Sequence, residues 1–137
     1  MEVGLLLPWI AIAFIGVLNF GFCAYGLIAT QSAARAIAAW GTATHTNAQS
    51  ITTQASLTTM CNYAIGELQY APNVGTSVNT CGGSSPVSVS ATYNASGADL
   101  LPTLTVTVTY TVSLLPVPGI SPSSLAIART VQLPVRN

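Results

Sequence analysis

The residues of this chain that could do chemistry are few: Cys23, Cys61 and Cys81, His45, the acids Glu2, Glu67 and Asp99, and the bases Arg35, Arg129 and Arg136. General acid–base work needs two titratable groups brought to one substrate, and nucleophilic catalysis needs a base beside the nucleophile. The sequence holds no paired carboxylate at workable spacing, no Ser, His and Asp set around a nucleophile elbow, and no glycine-rich phosphate loop followed by Lys. His45 has no second His, Cys pair or carboxylate near it in sequence, so it reads as an exposed turn residue rather than a metal ligand or a base. The expectation is a protein that is not an enzyme and that carries no cofactor or metal.

The cysteines have a different use. Cys61 and Cys81 bracket a stretch of turn-forming residues, APNVGTSVNTCGGSSP at 71–86, and a zinc site there would need two further ligands that the sequence does not supply. A Cys61–Cys81 disulfide is the better reading, with a loop-closure benefit of about 3 kcal/mol. Cys23 is then the odd, free thiol inside an apolar segment. A lipoprotein reading of Cys23 is disfavoured, because Phe22 precedes it where a small residue is required.

The element that must position everything else is the run from Val3 to Ile28, 26 residues without a charge. As a helix it is about 39 Å long, more than the roughly 30 Å of hydrocarbon in a bilayer. Gly4, Gly16, Gly21 and Gly26, with Ala11, Ala13 and Ala24, leave notches where another backbone could approach, and Trp9, Phe14, Phe20, Phe22 and Tyr25 stand between them as knobs. Pro8 removes one backbone donor and crowds the carbonyl of Gly4, so a kinked or partly unwound Gly4–Pro8 segment is expected unless Pro8 lies in the first turn. Only Met1 and Glu2 precede the apolar run, where a secretory signal would show a basic region. Either a basic leader has been removed or none existed.

Residues 1–29 thus form a transmembrane or filament-core helix, and 30–137 one small head with a core of its own. Within the head, residues 30–70 read as helical. Ala33, Ile37, Trp40 and Thr44 fall at helical spacing, Trp40 and Gly41 suggest a bend, and Thr46 with Gln49 resembles a capping box. A second helix follows from about Ala48 to Gln69, with Ile51, Ala55, Leu57, Ala64, Ile65 and Leu68 as its buried set. Residues 71–86 are loop, and 87–137 read as an antiparallel sheet: Val87–Tyr93, Thr103–Leu115 and Leu125–Val135 alternate apolar with hydroxyl or polar residues, Arg129 interrupting the last. Three strands with one apolar face need a cover, and the helical stretch from about Ala33 to Leu68 is the amphipathic candidate. The fold class is α+β, a long apolar helix continuing into an amphipathic helix that packs on about three antiparallel strands. Asn94-Ala95-Ser96 matches a glycosylation sequon on a loop and reads as an ordinary turn.

Charge is scarce, 4% of residues with a formal net of zero and no lysine. Nucleic acid is therefore not an expected partner, since phosphate binding needs a basic patch. A near-neutral surface rich in Ser and Thr does little to keep copies apart and suits a protein that ends up packed against itself.

The order of these features resembles the type IV pilin superfamily: an acid ahead of a long apolar helix, an amphipathic continuation, a loop, and a small antiparallel sheet. The first third is similar, more narrowly, to TadE-like pilins of the tight-adherence branch, through Glu2, Leu7 and Pro8, Gly16, Phe20 and Gly21, Tyr25, and Ala33, Ala34 and Arg35. That resemblance implies a subunit inserted in the bacterial inner membrane and cut by a prepilin peptidase. Assembly machinery then extracts it into a helical homopolymer, a surface pilus used in adhesion. It marks Glu2, Pro8, Gly16, Gly21, Tyr25 and Arg35 as assembly residues. A carboxylate entering a water-poor helical core is costly unless paired. Arg35 of the same chain lies some 50 Å away along a continuous helix, so Glu2 is expected to neutralise an N-terminal amine, its own or a neighbour's. The alternatives are a minor or tip pilin, and a single-pass membrane-anchored adhesion or binding domain.

Overall fold

The computed structural model describes residues 2–43, 48, 49, 51, 54–75, 78–96, 101–116 and 123–135. Helix α1 (Glu2–Thr42) runs 41 residues, and α2 (Gln54–Leu68) follows it. Strands β1 (Val87–Asn94), β2 (Thr103–Ser113) and β3 (Ser124–Pro134) form one antiparallel sheet in the order β1-β2-β3. The fold is the α+β arrangement that the alternation pattern requires. His45, Thr44, Thr46, Asp99 and Arg136 lie outside the described residues, so the capping box does too.

The strands form because Leu104, Val106, Val108, Tyr110 and Val112 occupy alternate positions of β2 and turn one face inward, each of them fully buried. Register follows from burying that face: Val108 stands opposite Val89 on one side and Arg129 on the other. On the outer face Thr107 and Thr130 are directly paired and their hydroxyls are 2.9 Å apart.

Helix α1 covers the inner face with a stripe of small residues, Gly26, Ala29, Ala33 with Ala34, Ala38 and Gly41, recurring about once per turn, with Ile37 as its one large fully buried side chain. Small side chains bring the helix axis close to the sheet. At Gly41 an added Cβ would collide with Leu104, and at Gly26 it would stand 3.1–3.2 Å from Tyr110, Ile127 and Val112. Thr30 and Thr42 share this stripe and donate their hydroxyls to the carbonyls four residues back, Gly26 and Ala38, which satisfies buried polar groups within the helix.

The buried part of the cover therefore begins at Gly26, inside the stretch expected to be free for packing between helices, and not at Ala33. Trp40 and Gly41 are themselves helical, and the helix ends directly after them at Thr42, where the Ala43 amide donates to the Trp40 carbonyl at 3.3 Å. Gly41 is there for the close approach of Leu104 rather than for a turn. The helix is also unbroken across Pro8, so the option of an unwound Gly4–Pro8 segment is not realised. Lying near the helix start, Pro8 deprives only the Gly4 carbonyl of its partner.

The second helix begins at Gln54, later than the expected Ala48, although 48 and 49 have helical backbone. Its buried set is Ser56, Met60, Cys61, Ala64 and Leu68, whereas Leu57 is exposed and Ile65 half-buried; the Ala55 side chain is not described. Cys61, Ala64 and Leu68 fit an inward face passing through either position 56 or 57. The face through Ser56 and Met60 is the one buried. Beyond α2, Asn73 and Gly75 adopt left-handed backbone with φ of 61° and 53°. The turn is held to β2 by Tyr110, which donates its hydroxyl to the Pro72 carbonyl at 2.5 Å, and by the Asn73 side-chain amide, which donates to the Thr111 carbonyl at 3.0 Å. A second left-handed pair, Gly82 and Gly83, shapes the turn into β1, where the Gly82 amide donates to the Val87 carbonyl. The Ser96 amide donates to Asn94 Oδ1 at 3.1 Å, so the sequon sits in an Asx turn.

Candidate assembly surface

The free part of α1 is the most conspicuous surface. Leu6, Leu7, Trp9, Ile10, Phe14, Val17 and Phe20 are all exposed, Phe20 to 75%. Nothing lies within 4 Å of where a Cβ would be at Gly4, Gly16 or Gly21. From Leu6 the helix is long and apolar enough to cross a membrane, with a mean hydropathy of 2.0 over its best window. Length and composition alone establish that much, and it is weak support for insertion.

The head clasps α1 below the small-residue stripe. Asn19 donates its amide to the Leu115 carbonyl at 3.0 Å, and the Leu115 amide donates to Asn19 Oδ1 at 2.8 Å. The apolar segment and the head thus overlap from Asn19 onward. Higher up, Ser32 donates to Glu67 Oε2 at 2.7 Å and joins α1 to α2, and the Trp40 and Tyr63 rings lie 6.3 Å apart between centroids.

The residues marked for assembly are strung along one helix and do not converge. Pro8, Gly16 and Gly21 lie on its exposed part; Tyr25 is 38% exposed at the edge of the head; Arg35 is exposed ten residues further on. The backbone of Glu2 is helical, and its side chain is outside what the structure describes. About 50 Å of helix separates Glu2 from Arg35. Gly26, counted among the notches, belongs to the head's own core.

Cys61 and Cys81 are joined in a disulfide, with Cα atoms 5.7 Å apart, tying α2 to the chain that enters β1. Cys23 is a free, half-buried thiol on α1. Among the described residues no group of three or more His, Cys, Asp or Glu side chains gathers as a metal site would require. Among the described residues Tyr110 is the titratable group whose setting is most altered: burial, and after it the charges that Tyr25 and Cys23 would carry, push its hydroxyl from 10.0 to about 12.

Sequence reasoning overlooked Asn19, and it noted Arg129 as an interruption of its strand without placing it beside Arg35. The signal for Asn19 was its polarity in an otherwise apolar run, and for Arg129 its place in the inward phase of a strand. Comparison with family models, with curated proteins and with solved structures returns no match.

Proposed function

We propose that this chain is a structural pilin subunit that polymerises through α1 into a type IV-like, tight-adherence filament used in adhesion. In this reading the helix first holds the subunit in the inner membrane. A prepilin peptidase and the assembly machinery act on it there, and it then packs with its copies in the core of a surface appendage.

One observation carries the proposal, the division of labour along α1. From Gly26 to Gly41 the small residues are used by the chain's own sheet, while Gly4, Gly16 and Gly21 remain open among exposed Trp9, Phe14 and Phe20. A plain anchor needs only apolar length. Open notches interleaved with aromatic knobs supply the surface against which a second apolar helix packs closely.

The test is to shear filaments from cells producing the chain, image them, and identify their main protein by mass. A homopolymer of this chain is the expected result; a chain that stays in the membrane with no filament supports the anchored-domain alternative, and a few copies in a filament of another protein supports the minor-pilin one. Replacing Glu2 with Gln keeps shape and removes charge, and is expected to leave membrane accumulation intact while filaments are lost.

A further inference from the structure

We propose that a groove between α1 and β3 binds the phosphate of an anionic phospholipid from the leaflet on the head's side. The groove has a volume of about 440 Å³ and is lined by Leu27, Ile28, Gln31, Ser32, Arg35 and Arg129. Its two arginines lie 94 positions apart in sequence and are the only cationic side chains among the described residues. All the described positive charge of the molecule therefore borders one site.

Arg129 occupies the inward phase of β3, between Ile127 and Val131, where an apolar residue would complete the pattern. Both arginines are exposed, and neither has a hydrogen-bond or ion-pair partner among the described residues. Glu67, the described acid on the neighbouring helix, accepts from Ser32 instead. Two unpaired guanidiniums on facing elements suit a phosphate, which takes planar, bidentate donors.

The polarity of the groove selects its occupant. Leu27 and Ile28 lie at the end nearer the apolar part of α1, and Arg35 lies about 10–12 Å beyond them. If roughly 20 residues from Leu6 span the hydrocarbon, it ends near Tyr25, and the groove begins within a turn of that level. Helical side chains lean toward the helix N-terminus, so Arg35 reaches back toward the headgroups. A lipid of that leaflet places its acyl chains by Leu27 and Ile28 and its phosphate by the arginines. The N-terminal segment of a parallel second copy has the opposite polarity, with its acid at Glu2 below its apolar run. This inference rests on the membrane residence contained in the proposed function and not on polymerisation.

The experiment places the full chain in phosphatidylcholine vesicles with trace spin-labelled phosphatidylglycerol or phosphatidylcholine and compares the immobilised fractions. Flotation first establishes insertion; a chain that does not float with the vesicles overturns the membrane reading and this proposal with it. The expected result is about a tenfold preference for phosphatidylglycerol, reduced in Arg35→Gln and in Arg129→Gln and abolished in the double variant, with the circular dichroism of the head unchanged. Arg136→Gln is the control for charge alone, and an equal loss in that variant overturns the proposal, as does a wild-type chain with no preference. Displacement by millimolar inorganic phosphate would assign the site to the free anion, and immobilisation that rises only with protein density would assign it to a second copy. Filament formation is not read, so the outcome is independent of whether the chain polymerises.

Discussion

Asn19 and Leu115 exchange two hydrogen bonds, side-chain amide to carbonyl at 3.0 Å and backbone amide to side-chain oxygen at 2.8 Å, so that one asparagine completes the chain end beyond β2 as a neighbouring strand would. A polar side chain in an apolar helix is costly unless partnered, and this pairing is the physical reason that Asn19 can sit between Leu18 and Phe20. It also fixes how the head is seated on the helix at its lower edge.

Replacing Asn19 with Ala removes both bonds and leaves the Leu115 backbone without them. Each is worth about 1 kcal/mol, so the head is expected to lose on the order of 1–2 kcal/mol. Amide exchange at Leu115 reads the change directly: protected in the wild type, it becomes fast in the variant, while amides of central β2 stay protected. Unchanged protection at Leu115 would mean that the clasp contributes nothing.

Tyr110 gives the head an alkaline limit. Its folded pKa is raised to about 12 from 10.0, so the folded state holds the phenol proton more tightly than the unfolded chain does. Stability from this group is fully present below pH 10 and is lost as pH climbs toward 12, by at most about 2 kcal/mol once solvent near the hydroxyl is allowed for. Tyr110→Phe forfeits the bonds to the Pro72 carbonyl and Asn73 and starts about 1 kcal/mol lower at neutral pH. The variant should lack this component of the alkaline decline. Unfolding midpoints measured from pH 8 to 12, with tyrosinate absorbance followed in parallel, distinguish the two curves; parallel declines would remove Tyr110 as the cause.

How much of this was legible in the sequence depends on how far the deciding contact lies from the residue that makes it. The sheet was legible because Leu104 to Val112 alternates with threonine, and a period of two leaves one way to bury a face. The Cys61–Cys81 bridge was legible because the zinc alternative lacked ligands. Gly26 and Gly16 look alike as small residues in an apolar helix, and only the position of Tyr110, 84 residues beyond Gly26, assigns one to the head and leaves the other open. Leu57 failed for a related reason: a helix with two adjacent apolar phases leaves the choice between them to its tertiary partners, chiefly α1. Arg35 was legible as a residue of interest, but its neighbour Arg129 is brought to it by the fold.

The disulfide should carry a measurable share of the head's stability. Cys61 and Cys81 are separated by 20 positions, and opening a loop of that size costs about 3 kcal/mol. Alkylation of the exported protein without reductant is expected to label Cys23 at most, with Cys61 and Cys81 labelled only after reduction; label on either in native material would contradict it. Double replacement of Cys61 and Cys81 with Ser should lower the denaturant midpoint by the corresponding amount, with the sheet's far-ultraviolet signature retained.

The glycines of α1 separate folding from assembly. At Gly26 a leucine must push aside Tyr110, Ile127 and Val112, which a Cβ alone would meet at 3.1–3.2 Å, and overpacking of that kind costs about 1–3 kcal/mol. At Gly16 and Gly21 nothing stands within 4 Å of where a Cβ would be, so the first atom of a new side chain is unobstructed there. A leucine gains up to about 1 kcal/mol of helix propensity. Gly26→Leu is therefore expected to lower the thermal midpoint of the detergent-solubilised chain, while Gly16→Leu and Gly21→Leu leave it unchanged or slightly higher. If the open notches receive neighbouring helices, those same two variants accumulate in the membrane yet yield few or no filaments. Normal filaments from both would show that the notches are not packing sites and would favour a plain anchor, whatever the stability of the head.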